Sequence, residues 1–242
     1  IARTAARAMS GEPGASLIGG GRSAPDWAAF ANGVHIRYLD CNDTYLSLEP
    51  AHPSDNFAAI LAAAEMARAD GTAVLAAAAV AYEVQCRLCD AASIRARGWD
   101  HVTYGALSSS LASSRLLGLS HAAATHALGI AGTTGTALRL TRAGELSMWK
   151  GCAFANAARV GVFSAILGRA GMTGPAPLFE GEMGFFQQVS GPFHIARLGG
   201  PDASDWMLPK TSIKFKPAEY HSQSAIAAAF ELRPRLHDPR QI

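Results

Sequence analysis

The chain has 242 residues, of which 49% are hydrophobic and 17% charged, and its formal net charge is +2 at pH 7. A composition this apolar with so little net charge excludes intrinsic disorder, and the length is sufficient for one large or two small packed domains. The 21 basic residues nearly balance the 19 acidic ones, which does not favour a surface that tracks phosphates, and we expect no nucleic-acid partner.

Charged residues interrupt the longest alanine-rich stretch at Glu65, Arg68 and Asp70. No uninterrupted apolar run reaches the roughly 18 residues that span a bilayer, so we expect no membrane segment. The first residues, 1–14, lack the apolar segment and cleavage site of a secretory leader. Four cysteines are too few for a disulfide framework in a chain of this length, which favours a reducing compartment, with the cytoplasm as the default.

Apolar periodicity predicts a mainly helical protein. Two long helices are expected over residues 56–68 and 72–89, with a turn at Asp70 and Gly71 between them and with Ser54 and Thr72 as N-caps. Alanine on both helices lets backbones approach closely, which is typical of a helix hairpin in a bundle. Three further helices are predicted over residues 102–117, 120–131 and 152–168.

Glycine and proline become frequent after Gly168, and long helices do not persist through such a density of helix breakers. Residues 206–215 have a short β-like pattern, and residues 222–232 return to a helical one. We therefore interpret the chain as a mainly all-α helical domain over residues 1–205, followed by the beginning of a smaller α+β domain over residues 206–242.

The densest group of ionisable side chains surrounds His52, immediately before the first long helix. The carboxylates of Asp40, Asp43 and Glu49 are close enough in sequence to exchange protons with this histidine, and a helix N-terminus favours an anionic ligand. The alternative is an ordinary capped loop, in which the acidic side chains satisfy backbone donors. The two interpretations have near even support.

Two more candidate residues stand at predicted helix starts, His101 and Lys150. A histidine beside a helix cap is more often structural than catalytic. A lysine at this position opposes the helix dipole, so Lys150 is either a ligand for a substrate carboxylate or a solvated surface residue. Arg159, further along the same helix, is either a buried salt-bridge partner or a carboxylate clamp.

The segment that begins the second unit contains Lys214, Glu219 and His221 within ten positions, and clefts between domains are common ligand sites. Cys86 and Cys89 have the spacing of a metal or redox motif. No second motif of this kind and no neighbouring histidine pair accompanies them, so core packing is the favoured interpretation, and we expect neither a metal nor a cofactor.

Five motifs, in order and spread over nearly the whole chain, resemble those of the MmgE/PrpD family, most closely its dehydratase branch. They are Trp27–Gly33, Tyr38–Asn56, Arg97–His101, Met148–Arg159 and Lys214–Gln223. The resemblance implies a large all-α domain and a smaller α+β lid around a metal-independent active site, with most of the lid absent from this chain. It also implies a homodimer.

The activity that the resemblance implies is removal of water from a small tricarboxylate. Decarboxylation or epimerisation of a related acid on the same scaffold is the nearest alternative, and a non-catalytic helical dimer scaffold is the alternative from another class. The resemblance implies catalytic roles for Asp40, His52, His101, Lys150 and Lys214, and it places a further family histidine near Glu219 or His221, which we expect to contact substrate. From the residues themselves, Lys150, Lys214 and Arg159 are the cations that could hold the substrate carboxylates. Dehydration needs a base, an acid and cations beside the carboxylates. Either histidine suits the base or the acid, with Asp40 orienting one of them.

Overall fold

The computed structural model describes residues 14–195, 197–236, 238 and 240. The predicted mainly helical class is confirmed, since seven α-helices contain nearly half of the described residues and the strands contain only a few. The helices are α1 (Pro25–Tyr38), α2 (Phe57–Ala67), α3 (Gly71–Ala91), α4 (Val102–Leu116), α5 (His121–Thr134), α6 (Trp149–Arg169) and α7 (Ser222–Leu232). Most of the segment tested for a secretory leader, residues 1–13, lies outside the described residues.

Helix α1 was not among the predicted helices. Its start signals are present, because Pro25 occupies the first turn, where a missing N–H costs nothing, and Asp26 complements the helix dipole. Its C-terminus carries the basic side chains His35 and Arg37. The helix ends directly before the acidic cluster around His52, so it positions one side of that cluster.

The predicted N-cap of α3 is wrong. Helix α3 begins at Gly71, and the Asp70 carboxylate accepts a hydrogen bond from the Ala73 backbone N–H at 2.8 Å. Asp70 is therefore the N-cap in place of Thr72. Gly71 was expected to follow the C-terminus of α2, but Arg68 takes the left-handed conformation there, at φ 52°.

The predicted N-cap of α2 is also wrong. Ser54 lies inside a short 3₁₀ helix, Pro53–Asn56, that runs directly into α2. Its hydroxyl donates to the Asp43 carboxylate at 2.6 Å and caps no helix. The acidic cluster thus holds the turn that contains Ser54, which matters for the geometry of His52.

Helix α6 packs most extensively against α4 and α1. A Cβ atom on Gly161 would stand 2.8 Å from backbone atoms of Ser109 and Ser110, and one on Gly33 would stand 2.8 Å from the Cα of Ala155. Contacts this short require small residues. These contacts do not involve the hairpin predicted from alanine content, α2 and α3, and α3 packs more against α4 than against α2.

Two small antiparallel sheets accompany the helices in the described residues. Strand β1 (Ala15–Ser16) pairs with β2 (Arg22–Ser23), and β3 (Asp43–Thr44) pairs with β4 (Ser212–Ile213). The β-like pattern over residues 206–215 is therefore a strand at two residues only. The β3–β4 pair joins the two ends of the described chain beside the C-terminus of α1.

The glycine- and proline-rich chain after α6 contains no long α-helix between residues 170 and 195 or between 197 and 221, as predicted. It folds back onto the helices, where Phe185 and Met207 share a buried apolar cluster with Leu88 of α3 and Tyr104 of α4. The boundary at residues 205 and 206 stays a prediction.

Two helices in the described residues, α3 and α6, are long and apolar enough to cross a membrane by length and composition alone. The charged residues cited against a span, Glu65, Arg68 and Asp70, all precede α3. More than half of the relevant part of each helix is buried inside the protein, as is usual for core helices. This composition is therefore weak evidence for a membrane segment.

Candidate active site

His52 lies in the loop that follows β3, and this loop folds back against the strand. The Nδ1 atom of His52 lies 2.7 Å from the backbone carbonyl oxygen of Asp43. A carbonyl oxygen only accepts, so this contact assigns the proton to Nδ1 and leaves Nε2 as an unprotonated base. The Asp43 carboxylate accepts from the backbone N–H of Ser54 at 2.9 Å and from the hydroxyl of Tyr82 at 2.7 Å. These contacts fix the loop that presents His52.

His101 is the N-cap residue of α4, and its side chain is buried. Its Nδ1 atom lies 3.0 Å from Oδ1 of Asp100, and the same oxygen accepts from Nε of Arg142 at 3.1 Å. The carboxylate thus accepts from both an imidazole and a guanidinium. Burial alone raises the pKa of Asp100, but these two partners outweigh it and lower the pKa to about 2. Asp100 is therefore an anion that orients His101.

The rings of His52 and His101 lie edge to face, with 6.1 Å between their centroids and 69° between their planes. Burial, followed by the positive charge of Arg37, lowers the pKa of His52 from 6.5 to about 2. Burial also lowers the pKa of His101, against the opposing effect of its hydrogen bond to Asp100. At neutral pH the site therefore holds two uncharged imidazoles, each with its Nδ1 engaged.

Asp40 and Lys214 form the ionic part of the site. The Lys214 ammonium donates to the Asp40 carboxylate at 2.8 Å and to the Asp40 backbone carbonyl at 2.9 Å, across 174 positions of sequence. The Lys214 side chain is 0% exposed. Asp40 has φ 48°, a left-handed conformation that is costly for a non-glycine residue and persists where surrounding contacts impose it. Strand β3, whose Asp43 carbonyl contacts His52, pairs with β4 directly before Lys214, and this pairing brings both groups to one site.

Arg37 is a site residue that the sequence interpretation missed. Its guanidinium bridges Asp40 at 3.2 Å and Asp55 at 3.7 Å, and it donates to the amide oxygen of Asn42 at 3.2 Å. Burial raises the pKa of Asp55 to about 7 even though Arg37 opposes the shift. The available signal was the spacing of Arg37 and Asp40, three positions apart at the end of an amphipathic segment. It was overlooked because α1 was not predicted.

Lys150 and Arg159 both lie on α6, and they are not equivalent. Lys150 is exposed in the first turn, as the helix start predicted from the sequence requires. Arg159 donates to Asn156 at 3.2 Å, approaches Asp26 at 3.9 Å and lies over the ring of Trp27 at 5.7 Å. The contacts with Asp26 and Trp27 join α6 to α1, and they include an ion pair, although the Arg159 side chain is 32% exposed and not buried as the salt-bridge interpretation had it. A direct substrate contact for either residue stays a prediction.

Glu219 and His221 are exposed residues of the turn that precedes α7. The Glu219 carboxylate accepts from the His221 backbone N–H at 2.7 Å. His221 and Lys214 both line a cleft of about 440 Å³ between β4 and α7. The structure thus brings His221 to the neighbourhood of Lys214, and the roles of both residues in substrate binding remain predictions.

The contacts of Glu49, Cys86 and Cys89 indicate structural roles. Glu49 is fully buried and accepts from the backbone N–H groups of Ile94 and Arg95 at 2.8 and 3.0 Å, as the capped-loop interpretation requires. Cys86 and Cys89 are buried free thiols in the apolar core, and burial raises the pKa of both. Within residues 14–195, 197–236, 238 and 240, no three His, Cys, Asp or Glu side chains converge as metal ligands would.

Comparison with known proteins gives the same family signal along most of the chain. A model of the MmgE/PrpD N-terminal domain matches residues 1–198. A 2-methylcitrate dehydratase from Cupriavidus necator is 34% identical over 229 residues, which cover 88% of this chain and 46% of that protein. The corresponding Escherichia coli protein is 35% identical over 226 residues, with the same coverage.

An alkylcitrate dehydratase from a fungal species is also similar, at 33% identity over 246 residues. The match covers 93% of this chain and 47% of the fungal protein. The chain therefore spans about half the length of the curated relatives it matches. The site residues described above all come from this half.

Proposed function

This chain belongs to the MmgE/PrpD family, and we propose that it carries the acid and base of a hydro-lyase that removes water from 2-methylcitrate to give 2-methyl-cis-aconitate. The observation that carries the proposal is the pair of neutral histidines 6.1 Å apart beside a buried lysine. The names of the relatives, 2-methylcitrate and alkylcitrate dehydratases, support the substrate class. In the cell, this reaction belongs to propionate catabolism.

We assign the base to His52. Its Nδ1–H is committed to the Asp43 carbonyl, so Nε2 is the free atom and accepts the proton of the substrate C–H bond. The pair of electrons from that bond forms the new carbon–carbon double bond. The hydroxyl leaves the adjacent carbon with its bonding electrons and takes a proton to become water. No oxidant or reductant is required.

We assign the acid to His101 once substrate is bound. Both histidines are neutral in the free protein, because burial lowers the pKa of each. A bound tricarboxylate brings up to three negative charges to the site, and negative charge raises the pKa of an imidazole. The carboxylate of Asp100 stabilises the imidazolium of His101, whereas His52 has only a carbonyl partner at Nδ1. His101 is therefore the histidine that takes up the proton on binding.

Lys214 supplies the positive charge beside the substrate carboxylates. The substrate carboxylates carry negative charge both before and during removal of the C–H proton, and a cation held in a dry site stabilises that charge in both states, so Lys214 acts mainly on substrate binding. Before substrate arrives, Asp40 holds the ammonium of Lys214 in a fixed position. Arg37 in turn holds the carboxylate of Asp40. Such preorganisation limits the reorganisation needed during the reaction.

The test is to incubate the protein separately with 2-methylcitrate, citrate and cis-aconitate. Alkene absorbance reports dehydration, and release of carbon dioxide reports decarboxylation. Alkene formation from 2-methylcitrate without carbon dioxide is expected. Carbon dioxide from cis-aconitate would assign a decarboxylase to this scaffold, and inversion of a dicarboxylate stereocentre without an alkene would assign an epimerase.

Binding provides a second test that does not depend on turnover. If His101 becomes protonated as the tricarboxylate binds, the complex takes up about one proton. Calorimetric titrations at pH 7.5 in two buffers of different ionisation enthalpy measure this uptake directly. Binding without proton uptake would contradict the assignment of His101 as the acid.

A further inference from the structure

The chain that brings Lys214 to the site is tied to helix α3 by a buried carboxylate. Glu83 is 3% exposed, and its two oxygens accept from the backbone N–H groups of Gly199, at 2.8 Å, and Met207. Arg87, one turn further along α3, pairs with Glu83 at 3.3 Å and donates to the backbone carbonyl of Asp205. One helix turn therefore holds both ends of the loop between residues 199 and 207.

The link from Met207 to Lys214 is short and internally hydrogen bonded. The backbone N–H of Lys210 donates to the carbonyl of Met207 at 3.0 Å, and that of Thr211 donates to the carbonyl of Leu208 at 3.2 Å. Strand β4 follows at once and pairs with β3. A displacement of Met207 is therefore passed on to Lys214, seven residues later, because few free torsions separate them.

Two other segments that deliver site residues are held in the same manner. The Asp43 carboxylate accepts from the backbone N–H of Ser54, two residues after His52. The Glu49 carboxylate accepts from the N–H groups of Ile94 and Arg95, which precede His101 on the same connection between α3 and α4. Each such segment is thus bound to a buried carboxylate through its backbone. Carboxylates accept several N–H groups at once and hold them more firmly than neutral acceptors do.

From this arrangement we propose that Glu83 is a positioning residue for Lys214, acting through the loop that ends at Met207. The role of Lys214 in substrate binding rests on the proposed function. The placement of its ammonium against Asp40 does not, so the two ideas can fail separately. Glu83 touches neither the histidines nor Lys214, and its effect reaches the site only through the backbone.

The first experiment measures the position of Lys214 without using activity. The chain has four lysines, Lys150, Lys210, Lys214 and Lys216, and only Lys214 is buried. In the unmodified protein, an amine-acetylating reagent should label Lys214 at least tenfold more slowly than Lys150, as followed by peptide mass spectrometry. In Glu83→Gln, the labelling rate of Lys214 should rise about tenfold, while that of Lys150 stays unchanged.

Glu49→Gln is the matched control, because it removes an equally buried carboxylate that holds the segment leading to His101 instead. It should leave Lys214 labelling at the level of the unmodified protein. Equal acceleration in Glu49→Gln and Glu83→Gln would overturn the proposal, since it would mean a general loosening of the fold. Unchanged Lys214 labelling in a folded Glu83→Gln protein would overturn it as well.

The thiol of Cys89 reports global opening, because it is fully buried in the core. Its reaction with a thiol reagent should be as slow in Glu83→Gln as in the unmodified protein. If Glu83→Gln does not fold, Arg87→Ala provides the second variant, since Arg87 is partly exposed and holds Asp205. It should accelerate Lys214 labelling several-fold, and no acceleration would contradict the proposal.

The second experiment is kinetic and uses the dehydration assay. Glu83→Gln should raise KM for 2-methylcitrate about tenfold to a hundredfold, since misplacement of a binding group by about 1 Å has effects of that order. It should change kcat and the pH profile little, because the histidines keep their partners. A loss confined to kcat would contradict the proposal. If no dehydration occurs in any form of the protein, the proposed function fails, and the labelling experiment still decides the role of Glu83.

Discussion

Two regions deliver the candidate site, and they are built differently. Residues 40–56 hold His52 through contacts within the region itself, such as the Asp43 carbonyl nine positions away. Residues 199–214 hold Lys214 through partners that are distant in sequence, since Glu83 lies 116 and 124 positions from the backbone groups it binds. Short-range contacts form whenever the local chain folds. The second region is in place only when the whole helical body is.

This difference separates two kinds of failure. A change within residues 45–56, which exclude Asp40 and strand β3, should alter the chemistry at the histidines with little effect on where Lys214 lies. A change within the second region should alter substrate binding and leave the proton transfers intact.

Replacement of either histidine should have the largest effect. His101→Ala or His52→Ala should lower kcat for dehydration of 2-methylcitrate by about 10²–10⁴-fold, the range of a single acid or base. His121→Ala is the control, because this residue begins the exposed face of α5 and should leave the rate unchanged. A histidine whose replacement leaves dehydration at the original rate takes no part in the mechanism.

Replacement of Lys214 should mainly weaken binding. Lys214→Met keeps the side-chain length and removes one charge-assisted partner for a carboxylate, about 1.5–3 kcal/mol and so roughly a tenfold to hundredfold increase in KM. Lys216→Met is the control two positions away, since the Lys216 ammonium lies over the ring of Phe230 instead. Equal effects of the two substitutions would show that only net charge matters, against the positions described here.

The helical body beneath both regions can be tested at two glycines of α6. Gly161→Ala should destabilise the protein by about 1–3 kcal/mol, because its Cβ would overlap the backbone of α4 at Ser109 and Ser110. Gly151→Ala, in the first turn of the same helix, has open space and should stabilise the protein by up to about 1 kcal/mol. Thermal or denaturant unfolding measures both. Similar values for the two variants would contradict the close packing of α6 on α4.

The smallest effect concerns pH and the stability of the first region. The pKa of His52 falls from 6.5 in the unfolded chain to about 2 in the folded one. At pH values between these two pKa values, the unfolded chain binds more protons than the folded protein does. This residue therefore makes the free energy of unfolding rise with pH, by up to about 1.4 kcal/mol per pH unit. Its contribution is complete above pH 6.5. As pH falls below 6.5, that contribution is progressively lost.

Asp55 has the opposite sign. Its pKa rises from 3.8 to about 7, so the folded state binds more protons across that interval and this residue favours stability at the lower pH. The comparison of His52→Gln with the unmodified protein isolates the histidine. Chemical unfolding between pH 5 and 6.5 should show a smaller increase of unfolding free energy with pH in His52→Gln. An equal or larger slope would contradict the neutral, buried state of His52.

Much of the fold was predictable because the sequence signals that form a helix lie within the helix itself. The alanine-rich helices α2 and α3, the helix that begins after His101 and the helix that contains Lys150 were all predicted within a few residues of their observed bounds. Helix α1 was missed, and both predicted caps were wrong. At each helix start, several neighbouring side chains could cap the same backbone N–H groups. Which side chain does so depends on tertiary contacts, such as the hydrogen bond from Ser54 to Asp43.

The site was predictable in part. The residues around His52, together with His101 and Lys214, were selected from their clustering and from a resemblance to a family. The partners that set their chemistry were not: Arg37 depends on an unpredicted helix, and Arg142 reaches Asp100 from 42 positions away. Glu83 carried no signal, because a glutamate within a helical pattern usually faces solvent.

The amino-acid sequence by itself determined the helical class and the position of both histidines beside helix starts. These properties depend on periodicity, side-chain size and backbone preference, which act over a few residues. Only the tertiary structure decided the pairing of Lys214 with Asp40 and the tether at Glu83. Those features depend on which groups meet after the chain has returned across more than 100 residues, because hydrogen bonds and desolvation are set by the partners that burial brings together.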